Sequence, residues 1–92
     1  FLGDGAAQQG AFYEAIAMAQ LWKLPAIFVV ENNYYAMGTS LERQSYLTDM
    51  SKRGAGVGMT HWQFQGFDVV EVYENLRKAA EHARSGQGPV LL

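Results

Sequence analysis

The chain has no cysteine, two prolines, and seven basic against nine acidic residues among its 92. Without cysteine there are no disulfides, no thiol nucleophile and no thiolate zinc centre, which fits a reducing compartment. The net charge of −2 provides no basic stripe for a phosphate backbone, so nucleic acid is not expected as a partner. No apolar run reaches the roughly 18 residues of a spanning helix, and the residues in view carry no export or lipidation signal, so no membrane role is expected. What the chain does have is 49% hydrophobic and only 17% charged residues, the balance of one compact unit. The start at Phe1 and the finish in "GPVLL", which reads as a strand cut at its beginning, suggest a piece of a longer polypeptide.

Periodicity then divides the chain. Phe12, Ala15, Ile16, Ala19 and Trp22 recur at spacings of three and four, which predicts an amphipathic helix from Ala6 that Pro25 stops by about Leu24. "AIFVVE", Ala26 to Glu31, is a β-branched and aromatic run that predicts a strand buried on both faces. The next 25 or so residues show no sustained period beyond a short helix from Thr48 to Arg53 stopped by Gly54, and so much irregular chain points to a functional loop or a subunit contact. "THWQFQGFDVVEV" offers two strand-like pieces around Gly66. Val72, Leu76, Ala79, Ala80 and Ala83 share one helix face, and a last strand, "VLL", follows Pro89. Strands alternating with helices predict an α/β fold, a mainly parallel sheet with flanking helices.

That alternation gives the opening "FLGDGAAQQG" its interest. Gly3-Asp4-Gly5 alone is ordinary turn chemistry, and Asn32-Asn33 alone reads more readily as a turn than as a ligand pair. A helix of about 15 residues climbs about 22 Å, and a six-residue strand returns about 20 Å. Asp4 and the Asn32-Asn33 pair are therefore expected side by side at the carboxyl ends of neighbouring parallel strands, the edge where open α/β sheets bind ligands. One carboxylate with one or two side-chain amides suits a hard cation such as Mg²⁺, which takes the rest of its shell from water and substrate phosphate. Backbone N–H groups at Gly5-Ala6-Ala7, where the helix is expected to begin, would face that phosphate. Gln8 breaks the dinucleotide-binding glycine spacing, and no Gly-Lys-Ser/Thr loop is present.

"GDG" followed after 26 residues by "NN" resembles the thiamine diphosphate motif. "GDGAAQQG", "LWKLP", "ENNYYAMGTSLER", "TDMSKRG" and "GQGPVLL" together resemble the alpha subunit of the pyruvate dehydrogenase decarboxylating component, with residues 1–92 as a fragment of its single thiamine diphosphate-binding domain. The resemblance implies that Asp4 and Asn33 ligate Mg²⁺ through side chains and Tyr35 through its carbonyl. Gly5, Ala6 and Asn33 would contact the diphosphate, with Asn32 in support. It also implies an alpha/beta heterotetramer within a multienzyme complex, decarboxylation of a 2-oxo acid, and acyl transfer to a lipoyl acyltransferase. The compartment would be the cytoplasm of a bacterium or the mitochondrial matrix of a eukaryote.

Branched-chain 2-oxo acid and acetoin dehydrogenase subunits share the metal motif, and "WKLP" and "AMGTSLER" look more like the pyruvate branch. A transketolase-like or decarboxylase-like enzyme, or a non-catalytic α/β binding module, are the other readings. The activating glutamate is expected from the beta chain and the loop histidines from beyond residue 92, so no catalytic residue is assigned here and the fragment alone is expected to be inactive. Phe64-Gln65-Gly66 departs from the Val-Asp-Gly that the family commonly shows, which bears on local packing.

Other residues have plainer readings. His61 is expected to be packed or at the surface, His82 solvated, and Lys52-Arg53 a solvated helix end. Ser40 matches a position phosphorylated in some mitochondrial relatives, and a loop serine or local cap near Glu42 is the simpler role. Phe12, Trp22 and the alanines between them are expected to be core, or a contact with another subunit.

Overall fold

The computed structural model describes residues 1–46 and 48–92, with the side chains of Tyr35, Ala36 and Gln44 left undescribed. Strand β1 (Leu2–Gly3) leads through a 3-10 turn (Ala6–Gln8) into helix α1 (Gly10–Leu21), followed by β2 (Ile27–Phe28) and β3 (Val30–Glu31). A hairpin of β4 (Tyr35–Ala36) and β5 (Thr39–Ser40) runs into helix α2 (Leu41–Gln44) and a 3-10 helix (Met50–Val57). Strand β6 (Thr60–His61), helix α3 (Val69–Arg84) and strand β7 (Val90–Leu91) complete the order.

The architecture is α/β, with parallel strands and helices on both sides. β1 pairs with β3 in parallel, Leu2 opposite Val30 and Gly3 opposite Glu31. β7 lies between β2 and β6, parallel to both, with Val90 opposite Ile27 and Thr60. β2 and β3 are two halves of one ribbon. Its Val29 carbonyl accepts from the Leu2 N–H at 2.9 Å on one side, and its Val30 N–H donates to the Leu92 carbonyl at 2.8 Å on the other.

Side-chain alternation along this ribbon makes two cores. Phe28, Val30, Leu2 and Leu91 face α1, where they meet Phe12, Ile16, Leu41, Met50 and Met59. Ile27, Val29, Val90 and Leu92 face the other way, against Ala79 and Leu76 of α3 and against Trp62 and Phe64. Both faces of the predicted strand are therefore covered, yet residues 27–30 are only half-buried and Glu31 is exposed.

The first predicted helix is divided. Gln9 is extended at φ −73° and ψ 147°, which separates the turn Ala6–Gln8 from α1. Phe12, Ile16 and Ala19 are buried as the spacing predicts, but Ala15 is exposed and Trp22 is 59% exposed. The helix touches the sheet along one narrow stripe, so Trp22, at its end, projects beyond that contact. Lys23 then takes φ 53°. The Leu24 N–H reaches back to the Ala19 carbonyl and the Lys23 N–H to Gln20, the bonding of a Schellman stop.

The long loop is more ordered than its aperiodic sequence suggests. Tyr35 pairs with Ser40 and Ala36 with Thr39 around Met37 and Gly38, both at positive φ as a type I′ turn requires. The predicted helix at Thr48–Arg53 is a 3-10 helix that starts after Asp49, whose carboxylate accepts from the Ser51 N–H, and it runs through Gly54 to stop at Gly58, φ 74°. Gly54 is buried rather than terminal: a Cβ there would lie 3.3 Å from Leu91 Cδ2, so its absence lets this helix rest against β7.

Only one of the two strand-like pieces around Gly66 is a strand. Phe67 and Asp68 lead into α3, with the Asp68 carboxylate accepting from the Val70 N–H at 2.9 Å as an N-cap. The packing question at Phe64-Gln65-Gly66 resolves simply, since Phe64 joins the α3-side core and Gly66 lies exposed in a bend.

Candidate functional site at the carboxyl edge of the strands

The register of β1 and β3 decides what meets at this edge. Gly3 stands opposite Glu31, so the next residues out of the two strands are Asp4 and Asn32. Asp4 is 1% exposed, one of two buried polar or charged residues among those described. Gly5 follows in αR conformation at φ −66° as the cap of the turn that Ala6 opens. Asn32 is half-buried and Asn33 is exposed. Tyr35 lies two residues further on, its backbone held in the β4–β5 pair.

One correction concerns the anion-binding element. The N–H groups expected at the head of a long helix belong to a three-residue 3-10 turn, closed by Gln8 N–H to the Gly5 carbonyl at 3.2 Å and Gln9 N–H to the Ala6 carbonyl at 3.1 Å. The macrodipole of α1 begins only at Gly10, so it does not originate at Gly5. What remains at Gly5 and Ala6 is a local turn with small residues.

The donor chemistry at this edge is the buried Asp4 carboxylate, the Asn32 and Asn33 side-chain amides and, exposed at the end of β3, the Glu31 carboxylate. Among the described residues no group of three or more His, Cys, Asp or Glu could hold a metal ion. An oxygen set of low charge is the kind that Mg²⁺ accepts while keeping water and phosphate oxygens, so the residues present fit that ion and suit a soft metal poorly. Asn32 and Asn33 border a cavity of about 820 Å³ whose other walls include Glu31, Phe64, Phe67 and Leu76, and Asp4, Gly5 and Ala6 are not among its lining residues.

The loop beyond the edge is braced by side-chain bonds that the sequence did not reveal. Asp49 Oδ1 accepts from both the N–H and the hydroxyl of Ser51, at 3.0 and 2.7 Å. Arg53, predicted to be solvated, is half-buried: its Nη2 donates to Ser45 Oγ at 2.7 Å and its guanidinium lies 5.8 Å from the Tyr13 ring centroid. Burial lowers the pKa of this guanidinium from its ordinary value. Lys52 is exposed, as expected. Ser40 stands at the N-cap position of α2 without a side-chain capping bond.

On the opposite flank Trp62 Nε1 donates to Asn75 Oδ1 at 2.8 Å, with the Lys78 ammonium 4.8 Å from the indole centroid. His61 is half-buried in β6, which agrees with a packed histidine. His82, expected to be solvated, is also half-buried, and its Nε2 is enclosed without a hydrogen-bond partner among the described residues. No periodic signal marks Arg53, Ser45 or Asn75, because their partners, Ser45 for Arg53 and Trp62 for Asn75, stand at no helical or strand spacing.

The sequence matches the family described as "Dehydrogenase E1 component" over residues 1–92. This chain belongs to the dehydrogenase E1 component family. It is 54% identical over its full length to the "Pyruvate dehydrogenase E1 component subunit alpha" of Rhizobium meliloti (strain 1021), of which it covers 26%. The protein of the same name from Rickettsia conorii (strain ATCC VR-613 / Malish 7) is 46% identical over the whole chain, which covers 28% of it. The "Pyruvate dehydrogenase E1 component subunit alpha, somatic form, mitochondrial" of Pan troglodytes is 52% identical over 98% of the chain and 23% of the relative. This E1-family chain thus spans about a quarter of the length of the curated relatives it matches.

Proposed function

We propose that the chain provides the Mg²⁺ and diphosphate anchor of a thiamine diphosphate-dependent 2-oxo acid dehydrogenase alpha subunit, with pyruvate as the substrate. The observation that carries the reading is the β1/β3 register, which brings Asp4 and the Asn32-Asn33 pair to one sheet edge. The names of the E1 relatives favour pyruvate over branched-chain 2-oxo acids and acetoin.

In this reading the Asp4 carboxylate, the Asn33 amide oxygen and the Tyr35 carbonyl hold Mg²⁺. The backbone at Gly5 and Ala6, together with Asn33, contacts the diphosphate. Small residues at 5 and 6 let an anion approach the main chain closely. When bound, thiamine diphosphate supplies the electron sink for decarboxylating the 2-oxo acid, and the protein binds and orients it. The site needs a beta subunit for the activating carboxylate and a lipoyl acyltransferase to take the acyl group. The compartment would be the bacterial cytoplasm or the mitochondrial matrix, the latter matching the organelle in the chimpanzee relative's name.

The test is calorimetric titration of thiamine diphosphate with Mg²⁺ into the full-length alpha subunit assembled with its partner, comparing wild type with Asp4→Ala. Loss of even an outer partner of a metal ligand costs about 10–100-fold, so loss of the ligand itself is expected to weaken binding by more than about 100-fold. Unchanged affinity would sink the assignment. Assays with pyruvate, branched 2-oxo acids, acetoin and sugar phosphates then separate the E1 branches from transketolase-like chemistry, and turnover of none of them would leave a binding module.

A further inference from the structure

One cation pins the far end of the loop that carries β4, β5 and α2. Arg53 is half-buried, yet among the described residues the ion pairs are those of Arg77, so no carboxylate pairs with it. It meets instead the Ser45 hydroxyl, which accepts from Nη2 at 2.7 Å, and the Tyr13 ring on α1, whose centroid is 5.8 Å away. Its Nε is enclosed without a hydrogen-bond partner among the described residues. A loop arginine can ordinarily lay its stem on the surface and keep its head hydrated. An inward guanidinium with an orphaned donor costs stability, which points to a positional role.

Ser45 closes a short run of bonds. Its N–H donates to the Leu41 carbonyl at 2.9 Å, and the Leu41 N–H donates to the Tyr34 carbonyl at 2.6 Å. Between them lies α2, a helix of four residues, too short to hold its own shape. Its position is therefore set from outside, by the Tyr34 carbonyl at one end, the Arg53-held hydroxyl at the other, and the buried Leu41 side chain in the α1 core. Ser40, just before α2, pairs with Tyr35 across the hairpin. Tyr13 packs edge-on against Phe12 at 5.4 Å, so the cation rests on the helix that covers the sheet.

We infer that Arg53 is a positioning residue for the cofactor edge: braced on Tyr13, it fixes Ser45 and with it α2, and so holds in place the β4 backbone at Tyr35, two residues beyond Asn33. The inference rests on the anchoring role proposed above and needs no contact between Arg53 and metal or cofactor. A planar guanidinium can offer a ring its face while donating edgewise to a hydroxyl, which the compact ammonium of lysine cannot.

The experiment uses the full-length assembled enzyme with Arg53→Met, Arg53→Lys, Ser45→Ala, Ser45→Thr and the double variant Arg53→Met with Ser45→Ala. Three quantities are read: Mg²⁺-dependent affinity for thiamine diphosphate, kcat at saturating cofactor, and hydrogen exchange at Leu41 without ligand. Arg53→Met and Ser45→Ala are each expected to weaken affinity about 2–30-fold, the range for residues that act on a site without touching its ligand. Exchange at Leu41 should quicken while kcat at saturation stays near wild type. Arg53→Lys should recover part of the affinity and Ser45→Thr, which keeps the hydroxyl, nearly all of it. The double variant should be no weaker than the worse single one, as expected of two groups that share one bond.

Wild-type affinity in Arg53→Met overturns the inference, and a lowered unfolding midpoint beside that affinity marks the residue as structural only. Multiplying losses in the double variant also overturn it, because Arg53 and Ser45 would then act independently. Should Arg53→Met fail to assemble, Ser45→Ala against Ser45→Thr decides, and equal affinities count against the inference. Normal binding by Asp4→Ala would instead remove the anchoring role itself; loss in Asp4→Ala beside normal binding in Arg53→Met removes the positioning role alone.

Discussion

Asp4 and Ile16 are both almost fully enclosed, and burial means opposite things for them. For Ile16 it is a gain: removing such a side chain from water contributes about 1.5–3 kcal/mol, and its neighbours Phe12 and Leu91 have no polar claim on the space. Truncation to Ile16→Ala is expected to cost about 2–5 kcal/mol through lost contacts and a residual cavity, measured as the shift in urea unfolding of the full-length subunit. For Asp4 burial is a cost that a carboxylate bears only when paired or metal-bound. Under the proposed role a ligand that binds only the folded state stabilises it by mass action, so Mg²⁺ with cofactor should raise the unfolding midpoint of wild type and leave that of Asp4→Ala unmoved.

Elements here are set by where the chain must stop as much as by what it prefers. α1 ends in a Schellman stop whose left-handed position is occupied by Lys23 at φ 53° in place of the glycine usual there. Left-handed backbone costs an L-residue roughly 1–2 kcal/mol, and the Lys23 side chain also lies near Gly88, where a Cβ would be 3.0 Å from Lys23 Cδ. Lys23→Gly is accordingly expected to stabilise the subunit by about 1 kcal/mol, read from thermal unfolding, since it relieves the backbone and loosens only a surface contact.

The same elements show which parts of the fold could be read from the chain. The buried stripe Phe12, Ile16, Ala19 and the α3 face with Ala79 and Ala83 were legible because period announces them. The hairpin was not, because Met37-Gly38 lacks the Asn-Gly or Asp-Gly chemistry that marks a type I′ turn. The extended Gln9 and the strand-like Phe67 to Val72 misled for a related reason: caps such as Asp68 decide helix starts, and β-branched residues fit either period. At the candidate site, the meeting of Asp4 with Asn32 followed from rise per residue, whereas the bond from Arg53 to Ser45 has no trace in spacing.

At the scale of the whole molecule, two cores share one parallel ribbon. The α1 side collects residues from both ends of the chain, Ala7 and Leu91 included, and the α3 side joins Ile27 to Val90 and Leu92. The edge with Asp4 and Asn32 is built by β1 and β3, while the closing of the sheet depends on β7.

That central place of β7 has a kinetic meaning. β1 and β3 can meet once the first third of the chain is made, but β2 and β6 have no parallel neighbour until Val90 and Leu91 arrive from beyond α3. Loop-closure entropy for that docking is spent before any contact rewards it, and such long-range pairing slows folding. Val90→Ala is therefore expected to slow refolding of the full-length subunit in stopped-flow measurements, with a smaller effect on unfolding. The opposite pattern, an unchanged folding rate and faster unfolding, would mean that β7 docks after the barrier. If the slow pattern is found, β7 has docked by the time the barrier is crossed, and the last strand made sets the rate at which the sheet is sealed.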